Sequence, residues 1–240
     1  MPDITDVNTI VGPLPSAGAD LSVEHLLELM AKHEIGRAFV CSTVGIRLSH
    51  QIGNAITRAT CLDTPALLPA ASLNPTHYFG DEHELHQLKE DGFRLIRFFP
   101  FSQGWPVNLA SFRALLRALR PLALPLMFQI RRMGDCTLLQ SLLNDYPATI
   151  ILSDVDSSTV AEAIAVLKEQ PNWYLETSHL LAPGAVRLVA NHVGAERVLF
   201  GTEAPQRPIA SVLRTLEFAE LSTQELELIL HRNAERIFSL

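Results

Sequence analysis

The sequence has few cysteines, and none of them is grouped with a histidine or with a second cysteine. Cys41, Cys61 and Cys136 are the only three, and no CxxC pair occurs. This spacing argues against a disulfide framework and against a structural zinc site rich in cysteine. We therefore predict that the three cysteines are small hydrophobic residues of the core.

Long apolar runs and an excess of basic residues are also missing. No uninterrupted apolar stretch reaches about 18 residues, the length that spans a bilayer, and the N-terminus has no basic segment followed by an apolar one. The chain has 19 Lys and Arg against 26 Asp and Glu, a net charge of -7. This balance argues against nucleic acid or an anionic membrane as a partner. We expect a soluble, cytoplasmic protein.

Several catalytic and nucleotide-binding motifs do not occur. The sequence has no GxGxxG or Walker pattern, which argues against a phosphate-binding loop for a nucleotide. It also has no GxSxG elbow, so a serine hydrolase of that type is not indicated.

Short apolar segments recur along the chain, and most are apolar throughout. Strands of this kind are typical of a parallel sheet that is buried on both faces. The predicted strands are 4–10, 37–42, 66–73, 93–99, 124–130, 149–155, 173–178 and 197–202.

Segments of helical periodicity lie between these strands. The clearest are 21–34, 112–119, 157–169 and 185–192, and a final helix begins at the capping-box pattern Ser222-Thr223-Gln224-Glu225. Eight strand–helix units in 240 residues predict a single (β/α)₈ TIM barrel with a C-terminal helix, formed by one domain over residues 1–240. In such a barrel the functional residues lie at the carboxyl ends of the strands.

Several segments occur in the order and spacing of a known family. They are GFRLIRFFP at 92–100, LPLMFQ at 124–129, IILSD at 150–154, YLETS at 174–178, VGAERVLFGTEAP at 193–205 and NAERIF at 233–238. Together they resemble the amidohydrolase superfamily, in particular the amidohydrolase-related branch of metal-dependent hydrolases with a TIM barrel. The resemblance spans nearly the whole chain and implies that fold.

The same resemblance implies five metal ligands, and all five positions differ. The family has His-x-His on the first strand, where this chain has Asn8 and Ile10. It has a histidine at the end of the fifth strand and another at the end of the sixth, where Gln129 and Asp154 stand. After the eighth strand it has an aspartate, where this chain has Glu203. The fold is therefore a safer expectation than the activity.

The chemistry of the replacements argues against zinc. Ile10 has no ligand atom, and none of the five positions keeps the imidazole or thiolate that zinc prefers. The other four all carry side-chain oxygens, and a polar residue without a partner is costly in a dry pocket. We therefore predict no bound cofactor, while oxygen ligands leave a hard divalent cation such as Mg²⁺, Mn²⁺ or Ca²⁺ as an alternative.

Two further interpretations of the carboxylates involve no metal. In one, Asp154 and Glu203 face each other, the pKa of one is raised, and the pair supplies an acid and a base. In the other, both are paired with Arg97 and Arg131 in a network without catalysis. The sequence leaves both alternatives open.

Additional residues at the predicted strand ends complete the candidate site. His179 follows the seventh strand and is a candidate catalytic base alongside Asp154 and Glu203. The candidate substrate-binding residues are Asn8, Arg97, Gln129, Arg131, Trp105 and Ser178. The two arginines are suited to an anionic ligand, and Trp105 to a lid over the site.

These observations predict a TIM barrel with a degenerate metal site that binds a small, carboxylated molecule. If the protein is an enzyme, the predicted chemistry is hydrolysis or decarboxylation, with Asp154 or Glu203 transferring the proton. The alternative is a non-catalytic barrel that senses a ligand or stabilises a partner. The resemblance implies that a homodimer is an option, without identifying an interface.

Overall fold

Eight strands form one parallel sheet in the order of the chain. The structure, a computed structural model, describes residues 4–13 and 18–240. Each strand pairs with the next in sequence, from β1 to β8. The strands are β1 (Ile4–Val11), β2 (Ile35–Ser42), β3 (Leu67–Leu73), β4 (Leu95–Phe98), β5 (Leu126–Gln129), β6 (Ile150–Ser153), β7 (Trp173–Glu176) and β8 (Val198–Leu199).

The sheet closes where β1 meets the segment that follows β8. The amide of Val7 donates to the carbonyl of Phe200 at 2.9 Å, and the amide of Ile10 donates to the carbonyl of Ala204 at 3.0 Å. Thr9 and Ala204 form an isolated parallel bridge. The eight predicted strands and the predicted (β/α)₈ barrel are thereby confirmed. The eighth strand is shorter than predicted, because its pairing with β7 ends at Leu199 and the next amide, of Phe200, donates to the carbonyl of Ile229 at 3.0 Å.

Helices separate the strands and cover the outside of the barrel. Short 3₁₀ segments lie at Pro75–His77, Arg120–Leu122 and Ala195–Arg197, and a π-helical turn spans Leu228–Arg232. The α-helices are α1 (Val23–Lys32), α2 (Thr43–Arg47), α3 (His50–Asp63), α4 (Glu82–Glu90), α5 (Pro100–Gln103), α6 (Ala110–Leu119), α7 (Asp135–Leu143), α8 (Val160–Glu169), α9 (Ala185–Val193), α10 (Ile209–Glu217), α11 (Thr223–Glu227) and α12 (Asn233–Phe238).

Two hydrophobic clusters explain why the strands are apolar on both faces. One lies between the sheet and the helices, and the other fills the barrel interior. The interior cluster includes Val7, Phe39, Leu95 and Met127, and α12 closes it from below with Phe238. The Phe238 and Phe39 rings are 4.3 Å apart between centroids. The barrel is therefore a packed core beneath its mouth.

The helices differ from their predictions mainly where polar residues are buried. The capping box at Ser222 and Glu225 is present. Helix α3 was not predicted, because its buried positions include Asn54 and Thr57 where large apolar residues would give a periodic signal. The Asn54 carboxamide binds the backbone of Ser72 on β3, at 2.9 and 3.0 Å.

The cysteine prediction is confirmed in large part. Cys41 and Cys136 are fully buried and Cys61 is half-buried, and all three are free thiols. Among residues 4–13 and 18–240, no helix is both long and apolar enough to cross a lipid bilayer.

Helices α2 and α3 touch at two glycines, which brings α2 close to the barrel mouth. A Cβ atom on Gly53 would lie 2.1 Å from the backbone nitrogen of Gly45 and 2.2 Å from its Cα. Both neighbouring atoms belong to the backbone, so they cannot move aside as a flexible side chain could. The contact therefore requires glycine at position 53 and sets where α2 lies.

We predict that Gly53→Ala destabilises the protein. In a helix interior this change ordinarily stabilises by about 1 kcal/mol, but the backbone overlap reverses the sign, with an expected net loss of about 1–3 kcal/mol. Urea unfolding measures the difference. Ala55→Gln, at an exposed position on the same helix, is the matched control and should change stability by less than about 0.5 kcal/mol. A Gly53→Ala protein as stable as the parent would contradict the contact.

Candidate functional site

A cavity of about 170 Å³ opens at the carboxyl ends of the strands, where the sequence predicts the site. It has a charged floor, apolar walls and an arginine at its rim. Its lining residues are Ile10, Thr43, Ile46, Arg47, Arg97, Phe99, Phe101, Ser102, Gln129, Arg131, Asp154, Glu203 and Gln206. Five of the nine predicted site residues are therefore in its wall: Arg97, Gln129, Arg131, Asp154 and Glu203.

The backbone is unusual at both carboxylates. Asp154 has φ +62° and Glu203 has φ +60°, in the left-handed region that non-glycine residues seldom adopt. Each residue directly follows a strand or its short extension, and each side chain is largely buried. Strained positions of this kind persist where the surrounding structure holds them, and they cluster at functional sites.

Glu203 is held between a histidine and an arginine. Its Oε2 lies 2.9 Å from Nε2 of His179 and 2.8 Å from Nε of Arg207. Burial raises the pKa of Glu203, but the hydrogen bonds and positive charges of His179 and Arg207 outweigh burial and hold that pKa below its usual value. Glu203 is therefore a carboxylate at neutral pH.

The carboxylate of Glu203 also determines the tautomer of His179. A carboxylate only accepts hydrogen bonds, so Nε2 of His179 carries a proton and donates it to Glu203. The Nη2 atom of Arg131 lies 3.3 Å from the same Nε2. Because both atoms are donors, this contact is not a hydrogen bond, and Nη2 keeps its hydrogens for another acceptor.

Asp154 is engaged on the other side of the cavity floor. Its Oδ2 accepts from Nε of Arg131 at 3.0 Å and from the Gln129 carboxamide at 2.8 Å. Gln129 in turn accepts from the backbone amide and the hydroxyl of Ser102 at 3.0 and 2.9 Å. Gln129 thus orients Asp154 and ties β5 and β6 to α5.

Arg97 lies deepest in the mouth and lacks a carboxylate partner. It is 2% exposed. Its Nη1 donates to the Thr9 carbonyl at 2.8 Å and its Nη2 donates to Oδ1 of Asn8. Within residues 4–13 and 18–240, its Nε is buried without a hydrogen-bond partner, and no carboxylate forms an ion pair with it. A buried guanidinium without a counter-charge is costly and favours an anion nearby.

Glu176, which the sequence analysis did not assign to the site, lies beneath it. The side chain is fully buried and accepts from the amide and hydroxyl of Ser178, both at 2.7 Å, from the amide of Asp154 at 3.1 Å and from Asn8 at 3.2 Å. Burial and then the charge of Asp154 raise its pKa. Glu176 is therefore a carboxyl with a raised pKa beside the cavity, whereas the pKa of Glu203 is lowered, against the raised value that the acid–base hypothesis allowed for it.

Asp6 is a second buried acid that the sequence analysis missed. Its Oδ1 accepts from the amides of Asn8 at 2.9 Å and of Thr202 at 3.1 Å, and its Oδ2 contacts the Thr202 hydroxyl. Burial raises the pKa of Asp6 to about 7. The signal in the sequence was the alternation of polar Asp6 and Asn8 along β1, which places both on one face of the strand.

Four predicted site residues are not in the cavity wall. Asn8 and Ser178 are fully buried below it, where Asn8 binds Arg97 and both contact Glu176. His179 contacts Glu203 but lines a neighbouring cavity of about 450 Å³. The prediction that Trp105 covers the site is wrong. Trp105 is 2% exposed and packs in the core, with its ring centroid 6.3 Å from that of Phe98.

Asp154, His179 and Glu203 offer the ligand types of a cation site. One donor atom from each lies within 4.8 Å of the others. Both carboxylates, however, already bind a guanidinium, and Nη2 of Arg131 lies 3.3 Å from the imidazole nitrogen that would face the ion. A guanidinium among the donors repels a divalent cation. A metal ion at these three residues would therefore compete with Arg131 and Arg207 for the two carboxylates.

One protein family matches most of the chain. The amidohydrolase family model matches residues 50–240. The matched part begins after β2, so Asn8 and Ile10 lie outside it. None of the curated proteins matches this chain in sequence.

Solved structures of the same architecture superpose over the whole chain. A probable 2-pyrone-4,6-dicarboxylic acid hydrolase from Acinetobacter baumannii, with citric acid bound, is 15% identical, covers 99% of this chain and 100% of its own, and has a TM-score of 0.77. A 2,6-dihydroxybenzoate decarboxylase in complex with 2,6-dihydroxybenzoate is 16% identical, with 100% of both chains covered and a TM-score of 0.80. A dihydroxybenzoic acid decarboxylase from Polaromonas sp. JS666, with bound manganese, is 16% identical, with 100% and 98% covered and a TM-score of 0.79. At these identities the similarity shows the fold alone.

We predict that Arg131→Met raises the affinity of the protein for Mn²⁺. The substitution removes a positive charge from Asp154 and His179 while keeping most of the apolar side-chain stem. Isothermal titration calorimetry should give a dissociation constant for Mn²⁺ at least about tenfold lower than for the parent, a difference of about 1.4 kcal/mol. The control is Arg214→Met, because the Arg214 side chain is exposed, pairs with Glu217 three residues later and does not line the cavity. Equal Mn²⁺ affinity in parent and Arg131→Met would refute the role of this guanidinium.

We predict that Asp6 makes stability fall as the pH rises. Its folded pKa of about 7 lies above its unfolded value near 4, so the folded state retains the proton longer. The contribution of Asp6 is complete below about pH 4 and is lost as the pH rises through 7. Asp6→Asn, which stays neutral, should remove up to about 1.4 kcal/mol per pH unit of this slope between pH 5 and 7.

Urea unfolding at half-unit pH steps measures this slope. Asp145→Asn, at an exposed position, serves as the control and should leave the slope unchanged. An Asp6→Asn protein with the parent's slope between pH 5 and 7 would show that Asp6 does not hold a proton there.

Proposed function

The chain belongs to the amidohydrolase family, and from this premise we propose that it binds a small carboxylic acid in the barrel mouth without a resident metal ion. The observation that carries the proposal is a surplus of guanidinium groups. Arg47, Arg97 and Arg131 line the cavity against only two carboxylates, Asp154 and Glu203, among the described residues. Glu203 is further neutralised by Arg207. An anionic ligand balances the remaining charge.

Two of these arginines have nitrogen atoms to spare for a ligand. Nε of Arg97 has no hydrogen-bond partner. Arg131 uses Nε to bind Asp154, and its Nη2 faces a donor, His179, instead of an acceptor. A planar guanidinium binds a carboxylate through two parallel hydrogen bonds, which are about twice as strong as neutral ones. We therefore assign the ligand carboxylate to Arg131, with Arg97 as the deeper positive charge.

The cavity walls limit the rest of the ligand. Phe99, Phe101, Ile10 and Ile46 supply apolar surface, and the volume is about 170 Å³. Pockets for drug-sized ligands are larger, about 300–1,000 Å³. A single aromatic ring with a carboxylate therefore suits this cavity better than a larger molecule does.

The ligands of the structural relatives are in keeping with this class. Citric acid is bound to the Acinetobacter hydrolase, and 2,6-dihydroxybenzoate to the decarboxylase. Both ligands are carboxylic acids. In this chain we assign the recognition of the acid to arginines, because both carboxylates at the floor already bind a guanidinium.

For catalysis, we assign Glu203 the transfer of a proton. In a hydrolysis it accepts a proton from the attacking water and returns it to the leaving group, and in a decarboxylation it takes up a proton from water and delivers it to the carbon that loses CO₂. Glu203 lines the cavity, is ionised, and is oriented by the Nε2–H of His179. Arg97 and Arg131 are placed to stabilise negative charge that develops on a substrate oxygen. Asp154, which two donors hold in place, positions Arg131.

A second candidate function is binding without turnover. The observation that favours it is that His179 lies outside the cavity and donates to Glu203 instead of facing a ligand. In this case the same acid binds in the mouth and stabilises the barrel, and the protein acts as a sensor of that acid. Both candidates share the carboxylate contact with Arg131.

We predict that the protein binds benzoate and not its neutral isostere benzamide. Arg131→Met should weaken benzoate binding at least about tenfold, because hydrogen bonds to charged groups contribute about 1.5–3 kcal/mol each. Isothermal titration calorimetry at low ionic strength measures both ligands. Arg214→Met, with its exposed side chain, should bind benzoate as the parent does.

Two outcomes would reject the proposed function. Equal affinity for benzoate and benzamide would show that charge does not govern binding. Unchanged benzoate affinity in Arg131→Met would place the carboxylate elsewhere.

A further inference from the structure

A second cavity, of about 210 Å³, adjoins the proposed acid site. The two cavities share Ile46, Arg47 and Ser102 in their walls. The second one lies between α2, the start of α3 and the loops that follow β3 and β4. Arg47 therefore stands at the junction, and a ligand in the first cavity can extend past it into the second.

The polar residues of this second cavity are cationic or neutral. They are Arg47, His50, Asn74, His77, Ser102 and Gln103, and none of the acidic residues in the described part of the chain lines it. The first cavity, by contrast, has two carboxylates in its wall, Asp154 and Glu203. A wall of one arginine, two imidazoles and two carboxamides selects for an anion.

Several of these groups lack a hydrogen-bond partner among residues 4–13 and 18–240. Nδ1 of His50, which is 4% exposed, and Nε2 of Gln103 are both buried without one. Asn74 uses Oδ1 to accept from Thr76 at 3.0 and 2.7 Å, and its NH₂ group makes no hydrogen bond within the described residues. Buried polar groups without partners are rare and call for a ligand or an ordered water.

One of the two histidines is held by a carboxylate, and the other lies beside it. Nε2 of His50 lies 3.0 Å from Oε1 of Glu84, so that carboxylate fixes the ring from behind the cavity. The His77 ring stacks on it, with centroids 6.4 Å apart and planes 23° apart. Within the described residues the donor atoms of His50, His77 and Glu84 do not form a compact group of three, and the one such group is Asp154, His179 and Glu203. A metal site is therefore not indicated here.

We propose that the second cavity is an anion subsite, formed by Arg47, His50, His77 and the carboxamides of Asn74 and Gln103. The ligand then carries two anionic groups, the carboxylate in the barrel mouth and a second carboxylate or a phosphate between Arg47 and His77. This inference rests on the proposed acid site for the first group and names the class of molecule that fills both.

The test compares linear dicarboxylates from glutarate to azelate with monocarboxylates of the same length. Once the first carboxylate is bound, the linker holds the second anionic group at a high effective concentration near its own subsite. At the chain length that spans the two cavities, the dicarboxylate should therefore bind at least about tenfold more tightly than the monocarboxylate. The series of ω-phosphonocarboxylates of the same lengths distinguishes phosphate from carboxylate as the second group. Calorimetry measures every ligand.

The variants separate the two cavities. His77→Ala should abolish the advantage of the dianion and leave monocarboxylate affinity unchanged. His86→Ala, an exposed histidine on α4 outside the cavity, should change neither. The subsite is overturned if no chain length favours the dianion, or if His77→Ala weakens both ligand series equally.

Inorganic phosphate tests the subsite apart from the acid site. If monocarboxylates fail to bind the parent protein, the proposed function has failed. The subsite still predicts that phosphate shifts the imidazole NMR signals of His50 and His77 but not that of His86. Unshifted signals at saturating phosphate overturn the subsite, whatever the result for the acid site.

Discussion

The contacts between arginine side chains and the carboxylates at the barrel mouth are the interaction on which the rest of the site depends. Removing a carboxylate from water costs several kcal/mol unless a partner compensates it. Relatives of this architecture include proteins with bound manganese. Here Arg131 binds Asp154 and Arg207 binds Glu203, both from the chain itself. The positive charges that compensate these two carboxylates are therefore side chains of the protein itself.

A lower layer of buried acids supports this arrangement. Glu176 accepts hydrogen bonds from the backbone amides of Asp154 and Ser178, and Asp6 accepts them from the amides of Asn8 and Thr202. Burial raises the pKa of both acids, so each holds its proton to a higher pH than an exposed acid does. The upper layer carries the formal charges, and the lower layer orients the strand ends that present them.

The fold could be predicted from the sequence because eight apolar strands alternating with helices in 240 residues are typical of a (β/α)₈ barrel. Five cavity residues could be predicted because functional residues lie at the carboxyl ends of the strands in such a barrel. The rest depended on side-chain directions that sequence spacing does not specify. Trp105 follows the fourth strand, yet its ring enters the Phe98 cluster. Glu176 looked like part of an apolar strand, and its role appears only when Asn8, 168 residues away, is brought beside it. Arg207 was detectable in principle, since it lies four residues after Glu203.

The closure of the barrel has a consequence for how binding and folding are connected. The hydrogen bonds that join the last strand to the first include Glu203 N–H to the Asn8 carbonyl and Ile10 N–H to the Ala204 carbonyl. Glu203 and Ile10 also line the cavity. The seam of the barrel thus runs along the cavity. A ligand bound in the proposed site would contact both sides of the seam, and its binding free energy would add to the stability of the closed barrel.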